Sequence, residues 1–506
     1  MEKVGILEIS EKYVKLMMAT VTDNGYFVVS DEIEKPLNIG KQLSEDGVIK
    51  SGEITDLAKI LKLYRRMCEI NKITKLYGIV ASSIKNAKNQ RSFIEEINAS
   101  AGINFKIITE TEELNYIYTG IIRTMDIPKG LIMQVNDNST SFILYNRRNI
   151  LAQEMLPIGA LTLSEMFGDC GLQPQEQCTK IKEYFITELK KLEWFTQLEP
   201  DYSFIGVGDI FSDMSKISRK VRRYPLDKTH NYNMSSIDFN AVYDIIKVLD
   251  LDKAKKLKGI SEDRADTFAS GLAMIKAVLE YINIENISVS AYGLREGALF
   301  NFASPSLMEK PINDVLGGSL ATLVKFYEGE FSNADNVYNL SIILFRQLRL
   351  LHKLPRGYIK VLRIASSLHD AGLRISYYDH QKTCYNVILN SDIYGATHRE
   401  IILGAFVASS QNSDDFNVSE WVRYKDIILE EDLEAVKKLS IIIKIAESLD
   451  RTSAGLIKDI NCDVLGDSVI MKTIVDENSD ASIEIMDATL AMSDFKKAYK
   501  KNLEIL

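Results

Sequence analysis

A polar turn held between two apolar runs occurs twice in this chain. Residues 130–145 read GLIMQVNDNSTSFILY, in which Leu131, Ile132 and Met133 precede a polar cluster, Asn136 to Ser139. The apolar run Phe142-Ile143-Leu144-Tyr145 follows. Asn, Asp and Ser favour turns and the flanks are β-formers, so the pattern predicts strand, tight turn, strand. Residues 4–18, VGILEISEKYVKLMM, repeat it with a polar turn at Ser10-Glu11-Lys12. Each copy is followed by a further strand pattern and then a similar marker, Pro36-Leu37-Asn38-Ile39-Gly40 or Pro157-Ile158-Gly159. The duplication predicts two related lobes facing each other across a cleft.

At 506 residues the chain is too long for one ordinary core, so several domains are expected. A net charge of −9 argues against general nucleic-acid binding. A polyanionic ligand would therefore need a locally basic cleft. No apolar stretch is long enough to span a bilayer, and the first residues lack a signal-peptide pattern, so a cytoplasmic protein without membrane contact is expected. Five cysteines, Cys68, Cys170, Cys178, Cys384 and Cys462, form no CxxC pair, which fits buried thiols better than a disulfide frame.

Periodicity divides the chain into a first lobe (1–126), a second lobe (127–303), a helical domain (310–455) and a small α+β tail (460–506). In the first lobe, helices are expected over 53–71, 90–99 and 110–122, with strands over 76–80 and 106–109. In the second, a helix is expected over 175–196 and a strand-loop over 202–215. Apolar stripes predict helices over 333–351, 358–369, 399–409 and 433–450, and alternation over 468–474 and 482–486 predicts strands.

The turns resemble those of the Ppx/GppA family, the exopolyphosphatases and guanosine pentaphosphate phosphatases. The family's first turn is D-x-G-S-N-S-x-R-L and its second D-x-G-G-G-S-T-E. Here residues 8–16 read EISEKYVKL and residues 134–141 read QVNDNSTS. Residues 80–120 resemble A-T-S-A-x-R-D-A followed by I-S-G-x-E-E-A-R-L-I-Y-x-G. Arg becomes Lys85, Asp becomes Asn86, and the paired acids remain as Glu112 and Glu113. Ser290 to Gly297 keep S-x-x-G-L-R-E-G, with Arg295 and Glu296 read as a structural ion pair. Leu368-His369-Asp370-Ala371-Gly372-Leu373 resembles the LHDxGL of the HD-type domain in long family members. The resemblance implies a two-lobed α/β fold of the actin/sugar-kinase/Hsp70 (ribonuclease H-like) kind, an all-α HD-like domain and a small α+β tail.

Phosphoanhydride cleavage needs donors for phosphate oxygens, a metal to neutralise charge and a group to position water. Glycine turns supply the first, because their backbone N–H groups approach phosphate closely. Here Asn136-Asp137-Asn138 and Asp209 stand in or beside such turns, and Glu11 intrudes in the first. The resemblance places phosphate contacts at Lys12, Lys85, Ser139, Thr140 and Gly208, and the base at Glu113 beside Glu112. Either acid also suits the first turn of a helix. Its metal carboxylates map to Glu8, Gln134 and Ser141, so Glu8 alone remains and Mg²⁺ would be weakly held. In the helical domain His369, Asp370 and Asp450 map to an HD metal set whose upstream His is Asn333 or Asn336. They are read as a helix-packing remnant, with no stoichiometric transition metal expected. His352, His380 and His398 are read as structural. Lys216, Arg219, Lys220, Arg222 and Arg223 form a basic run, ordinarily a solvated face and here the best candidate for a polyanion track.

Three functions follow. The resemblance implies an exopolyphosphatase or pppGpp phosphohydrolase. The altered turns point to a catalytically inactive protein of the same fold, binding a phosphorylated ligand such as polyphosphate or a guanosine penta- or tetraphosphate, or regulating a partner. A hydrolase using His369, Asp370 and Asp450 ranks last. A homodimer is expected from the resemblance.

Overall fold

A computed structural model describes residues 1–168, 171–198, 201–308, 312, 314–329, 332–410, 417–477 and 479–506. Cys170 and the start of the predicted helical domain lie outside them. The chain divides into two compact units, Met1–Asn313 and Asp314–Leu506.

The first unit holds both lobes. One sheet comprises β1 (Glu2–Ile9), β2 (Tyr13–Val21), β3 (Phe27–Pro36), β4 (Lys75–Val80) and β5 (Lys106–Ile107), in the order β3-β2-β1-β4-β5. The other comprises β6 (Lys129–Val135), β7 (Thr140–Asn146), β8 (Asn149–Leu156), β9 (Ser203–Val207), β10 (Tyr232–Ser235) and β11 (Asn286–Ser290), in the order β10-β11-β9-β6-β7-β8. Read from its β8 edge, the second sheet repeats the first and adds β10. Each begins with an antiparallel hairpin whose first strand then pairs in parallel, β1 with β4 and β6 with β9. The predicted duplication is therefore a duplication of topology.

Register places the turns equivalently. Glu8 pairs with Lys15 across the first hairpin, and Gln134 with Ser141 across the second. The central strands are apolar on both faces, with Ile6, Leu7, Leu131 and Ile132 at most 1% exposed, because helices cover both sides. The marker glycines have a steric purpose. A Cβ on Gly159 would lie 2.2 Å from the Asp137 carbonyl oxygen. Without it, the helix Ala160–Gly168 begins against the turn, and the Ala160 and Leu161 N–H groups donate to the Asn136 and Asp137 carbonyls at 2.9 Å.

Two local expectations change. The strand-loop expected over 202–215 is strand β9 followed at once by a helix, Asp209–Arg222. Gly208, at φ 95°, makes the sharp junction, and Asp209 supplies the first-turn acid that suits a helix N-terminus. The helix expected over 175–196 runs Pro174–Leu189 and is followed by a 3₁₀ turn, Glu193–Gln197.

The second unit is helical with a β-containing tail. Helices Ala334–Gln347, Tyr358–Ser367, His398–Ser409 and Asp432–Ser448 pack together, with Leu439, Ile442, Ile443 and Ala446 of the last completely buried. The tail sheet orders β12 (Ile457–Leu465), β13 (Ser468–Val475) and β14 (Asn502–Ile505). The alternation over 482–486 forms a helix, Ser482–Thr489, and not a strand. Its Ile483 and Met486 are the exposed residues, while Glu484 and Ala488 share the buried face at helical spacing. No helix among the described residues is long and apolar enough to cross a membrane.

Candidate functional site

The three turns converge on one cleft of about 1080 Å³, including the solvent at its mouth. Its lining includes Glu8, Glu11, Lys12, Lys15, Glu113, Gln134, Asp137, Gly208, Asp209, Arg264 and Arg295. The folded chain thus brings Glu8, Lys12, Gly208 and Glu113 to one cleft.

Charges in this cleft are paired with one another. Lys12 of the first turn lies 3.4 Å from Asp137 of the second and donates to Thr267 at 3.3 Å. Lys15 lies 3.2 Å from Asp209 of the third turn. Asn138 donates to the Glu11 carboxylate at 3.1 Å. Arg264 bonds buried Asp213 at 2.7 Å, donates to the Tyr13 hydroxyl at 2.8 Å and lies 3.6 Å from Asp209. Tyr13 in turn donates to Asp263. Residues from the two lobes therefore neutralise each other where the resemblance would put phosphate. Neither Lys15 nor Arg264 stands out in the sequence, because a partner of each lies far along the chain: Lys15 and Asp209 are 194 residues apart, and Arg264 and Tyr13 are 251 apart.

Burial sets the ionisation of the acids. It raises Glu8 to about 6 against the pull of Lys15 and Arg295. It raises Glu11 to about 7, opposed by a Ser83 hydrogen bond and reinforced by the Asp137 charge. Burial also raises Asp137, against Lys12, and Glu113, against the Ser82 N–H that donates to it at 2.8 Å. Asp209 behaves oppositely: burial pushes it up, but Lys15 and Arg264 hold it below the ordinary value.

The other expected residues are placed elsewhere. Glu112 caps the helix Glu110–Ile122 in a reciprocal pair with Thr109 and pairs with Lys106 at 2.5 Å. Glu113 points to the cleft from the same helix turn, which separates the two acids' roles. Lys85 is exposed at the end of a 3₁₀ turn and does not line the cleft. The Ser139 hydroxyl accepts from Asn136 at 3.4 Å, and Thr140 donates to the Ile158 carbonyl at 2.7 Å, so both hydroxyls serve the turn. Within the basic run, Lys216 pairs with Asp213, buried Arg219 with Asp227 and Arg222 with Asp238. Lys220 and Arg223 are exposed. Arg295 and Glu296 form the expected ion pair at 2.9 Å, and Arg295 also bonds Glu32 at 2.6 Å.

The residues do not fit a magnesium ion in this cleft. Mg²⁺ favours carboxylate, phosphate and water oxygens in octahedral array. Glu8 is the carboxylate left from the expected set, and the cations Lys15 and Arg295 act on it directly. Gln134 Oε1 and Ser141 Oγ, at the other expected ligand positions, are buried without hydrogen-bond partners. They are neutral and supply none of the charge that the family's carboxylates would give the ion.

In the second unit, His369 and Asp370 meet Glu447, with one ligand-type atom from each lying within 4.8 Å of the others. Asp450 is not in this group. Its Oδ1 accepts the Gly455 N–H at 2.9 Å. His380 lies 3.5 Å from Asp370. His352 hydrogen-bonds the Phe345 carbonyl at 2.7 Å, in keeping with a structural role.

Residues 19–304 match the model of the Ppx/GppA phosphatase family, and residues 318–492 match Ppx/GppA phosphatase, domain III. A bifunctional 3-dehydroquinate synthase/phosphatase of Fusobacterium nucleatum is 25% identical over 58% of this chain, and the match spans 45% of that relative's length. A guanosine-5'-triphosphate,3'-diphosphate pyrophosphatase of Pseudoalteromonas translucida is 24% identical over 76% of this chain and 75% of its own. An exopolyphosphatase structure from Cytophaga hutchinsonii superposes with a TM-score of 0.56 at 20% identity, over 60% of this chain and 98% of that one. These likenesses establish a two-lobed actin-like ATPase fold for the first unit, and the chain belongs to the Ppx/GppA phosphatase family.

Proposed function

We propose that this chain is a catalytically silent family member whose scaffold serves as a binding or regulatory module. The supporting observation is the pair of ion pairs across the cleft, Lys12–Asp137 and Lys15–Asp209. They occupy the turns that would cradle a phosphate and leave its cations already neutralised. Asp209, held ionised by Lys15 and Arg264, also puts a negative charge in the cleft where a polyanion would bind.

Phosphate release from long-chain polyphosphate and from pppGpp, with Mg²⁺ and beside an active homologue, tests this reading. We expect rates at the no-enzyme background, and hydrolysis comparable with the homologue overturns it. Changing Asn136, Asp137 and Asn138 together to glycine frees Lys12 and reopens the turn. Polyphosphate affinity should rise without turnover, which further requires Gln134→Asp and Ser141→Glu.

A second reading, hydrolysis of polyphosphate or pppGpp, is favoured by Glu113. It faces the cleft with its pKa raised by burial, as suits a general base. On that reading Glu113→Gln abolishes phosphate release and leaves ligand binding nearly unchanged.

A further inference from the structure

Cations that the cleft does not use gather on one face of the second lobe. Residues 216–223 hold five basic residues and no acid, and residues 251–258 hold four against one acid, Asp252. The fold brings the two stretches together. Ile217 of helix Asp209–Arg222, Ala254 of helix Leu251–Lys255 and Ile260 are buried in one core. A Cβ on Gly259 would lie 2.9 Å from Ile217 Cγ1 and 3.8 Å from Lys220 Nζ, so the Lys220 ammonium stands beside the residue that follows Lys258. Lys216, Arg219, Arg222 and Lys253 are paired with Asp213, Asp227, Asp238 and Asp250. Lys220, Arg223, Lys255, Lys256 and Lys258 are exposed and make no ion pair among the described residues. Cations in the last turn of Asp209–Arg222 suit its dipole, which leaves Lys255, Lys256 and Lys258 unaccounted for. Apolar side chains are exposed among these charges. Val221, between Lys220 and Arg222, is 50% exposed, and Ile237, next to the Asp238 that Arg222 bonds, is 78% exposed. None of these residues lines the cleft.

We propose that this face docks an acidic segment of a partner protein. The segment's carboxylates pair with Lys220, Arg223, Lys255, Lys256 and Lys258, and its apolar side chains cover Val221 and Ile237. Complementary charge steers and orients such an association, and the apolar contacts add burial at its centre. At a net charge of −9 the chain as a whole repels an acidic partner, so such a partner approaches where exposed cations outnumber acids. Polyphosphate would meet the cations but leave Val221 and Ile237 in water. An anionic bilayer is negative throughout, whereas Asp227 and Asp252 stand exposed among the cations. A protein can set a basic group of its own against each. The face is separate from the cleft, and it is available whether or not the cleft turns over phosphate.

Fluorescence anisotropy of a labelled glutamate–tyrosine copolymer measures binding to the full-length protein. Poly-glutamate, long-chain polyphosphate and phosphatidylserine–phosphatidylcholine vesicles serve as competitors. The copolymer should bind more tightly than poly-glutamate, and its affinity should fall as salt is added. Lys220→Glu with Lys258→Glu should weaken binding by at least about tenfold. Lys59→Glu with Lys62→Glu, on helix Ser51–Ile70, makes the same change in net charge and should leave binding within about twofold. Val221→Ser with Ile237→Ser should remove the copolymer's advantage over poly-glutamate. All of these positions are exposed, and circular dichroism checks that the variants fold. Absence of copolymer binding overturns the docking face, as does an equal loss from the reversal at Lys59 and Lys62. Tighter binding of polyphosphate or of the vesicles than of the copolymer, or no preference for the copolymer over poly-glutamate, overturns the choice of partner.

Discussion

In the first unit's cleft, every cation at the altered turns has an acid beside it: Lys12 has Asp137, Lys15 has Asp209, and Arg264 has Asp213. Around His369 in the second unit the neighbours are Asp370, Glu447 and Glu328, with His380 3.5 Å from Asp370. The cleft has exchanged its expected ligand contacts for contacts with itself. The helical site sets a buried histidine among acids, which raise its pKa. The difference teaches how to read a divergent site: a changed motif matters less than whether the new side chains compensate each other. Compensation removes the need for a ligand.

The comparison breaks first at Arg264. Arg264→Met leaves Asp213, which is completely buried, without its main partner. A loss of about 3–5 kcal/mol is expected, because removing one member of a buried pair strands the other's charge. Trp194 reports on the first unit and Trp421 on the second, so denaturation followed by fluorescence in a Trp421→Phe background measures it. A loss below about 1 kcal/mol, the range of exposed pairs, would show that the cleft network is not a compensated one.

Glu11 gives the next effect, and its sign follows from linkage. Its value rises from 4.5 to about 7 in the folded chain, so folding favours the protonated form. Stability from this group is fully present below pH 4.5 and lost as pH rises through about 7. Glu11→Gln should therefore stabilise the protein by about 2 kcal/mol at pH 8, and flatten the fall between pH 5 and 8. The same pH slope in mutant and wild type would reject this.

Glu447→Gln sharpens the contrast, because its sign should oppose that of Arg264→Met. Removing one of several neighbouring carboxylates should be neutral or stabilising by up to about 1 kcal/mol. Clear destabilisation would mean that Glu447 is held by its neighbours as firmly as the cleft charges are. The smallest effect is expected from the Lys12–Asp137 pair, whose members are 19% and 15% exposed. A double-mutant cycle should give a coupling of about 0.5–1 kcal/mol that shrinks with added salt. A coupling of zero would remove this pair from the cleft network.

The chain's sequence determined the duplicated hairpin, because a period-2 apolar pattern broken by Asn, Asp and Ser has few other foldings. It also determined the long helices and the family's motifs, including Glu113 in a first turn and the Arg295–Glu296 pair. Short patterns were less legible: five alternating residues at 482–486 fitted a strand, and packing of Glu484 and Ala488 made them a helix. Only the tertiary structure decided which charges meet. Lys15 finds Asp209, Arg264 finds Tyr13, and His369 finds Glu447 and not Asp450. Such pairs lie far apart in sequence, and their distances depend on how sheets and helices stack. A side chain's charge is written in its residue type, but whether that charge is compensated is a property of the space around it.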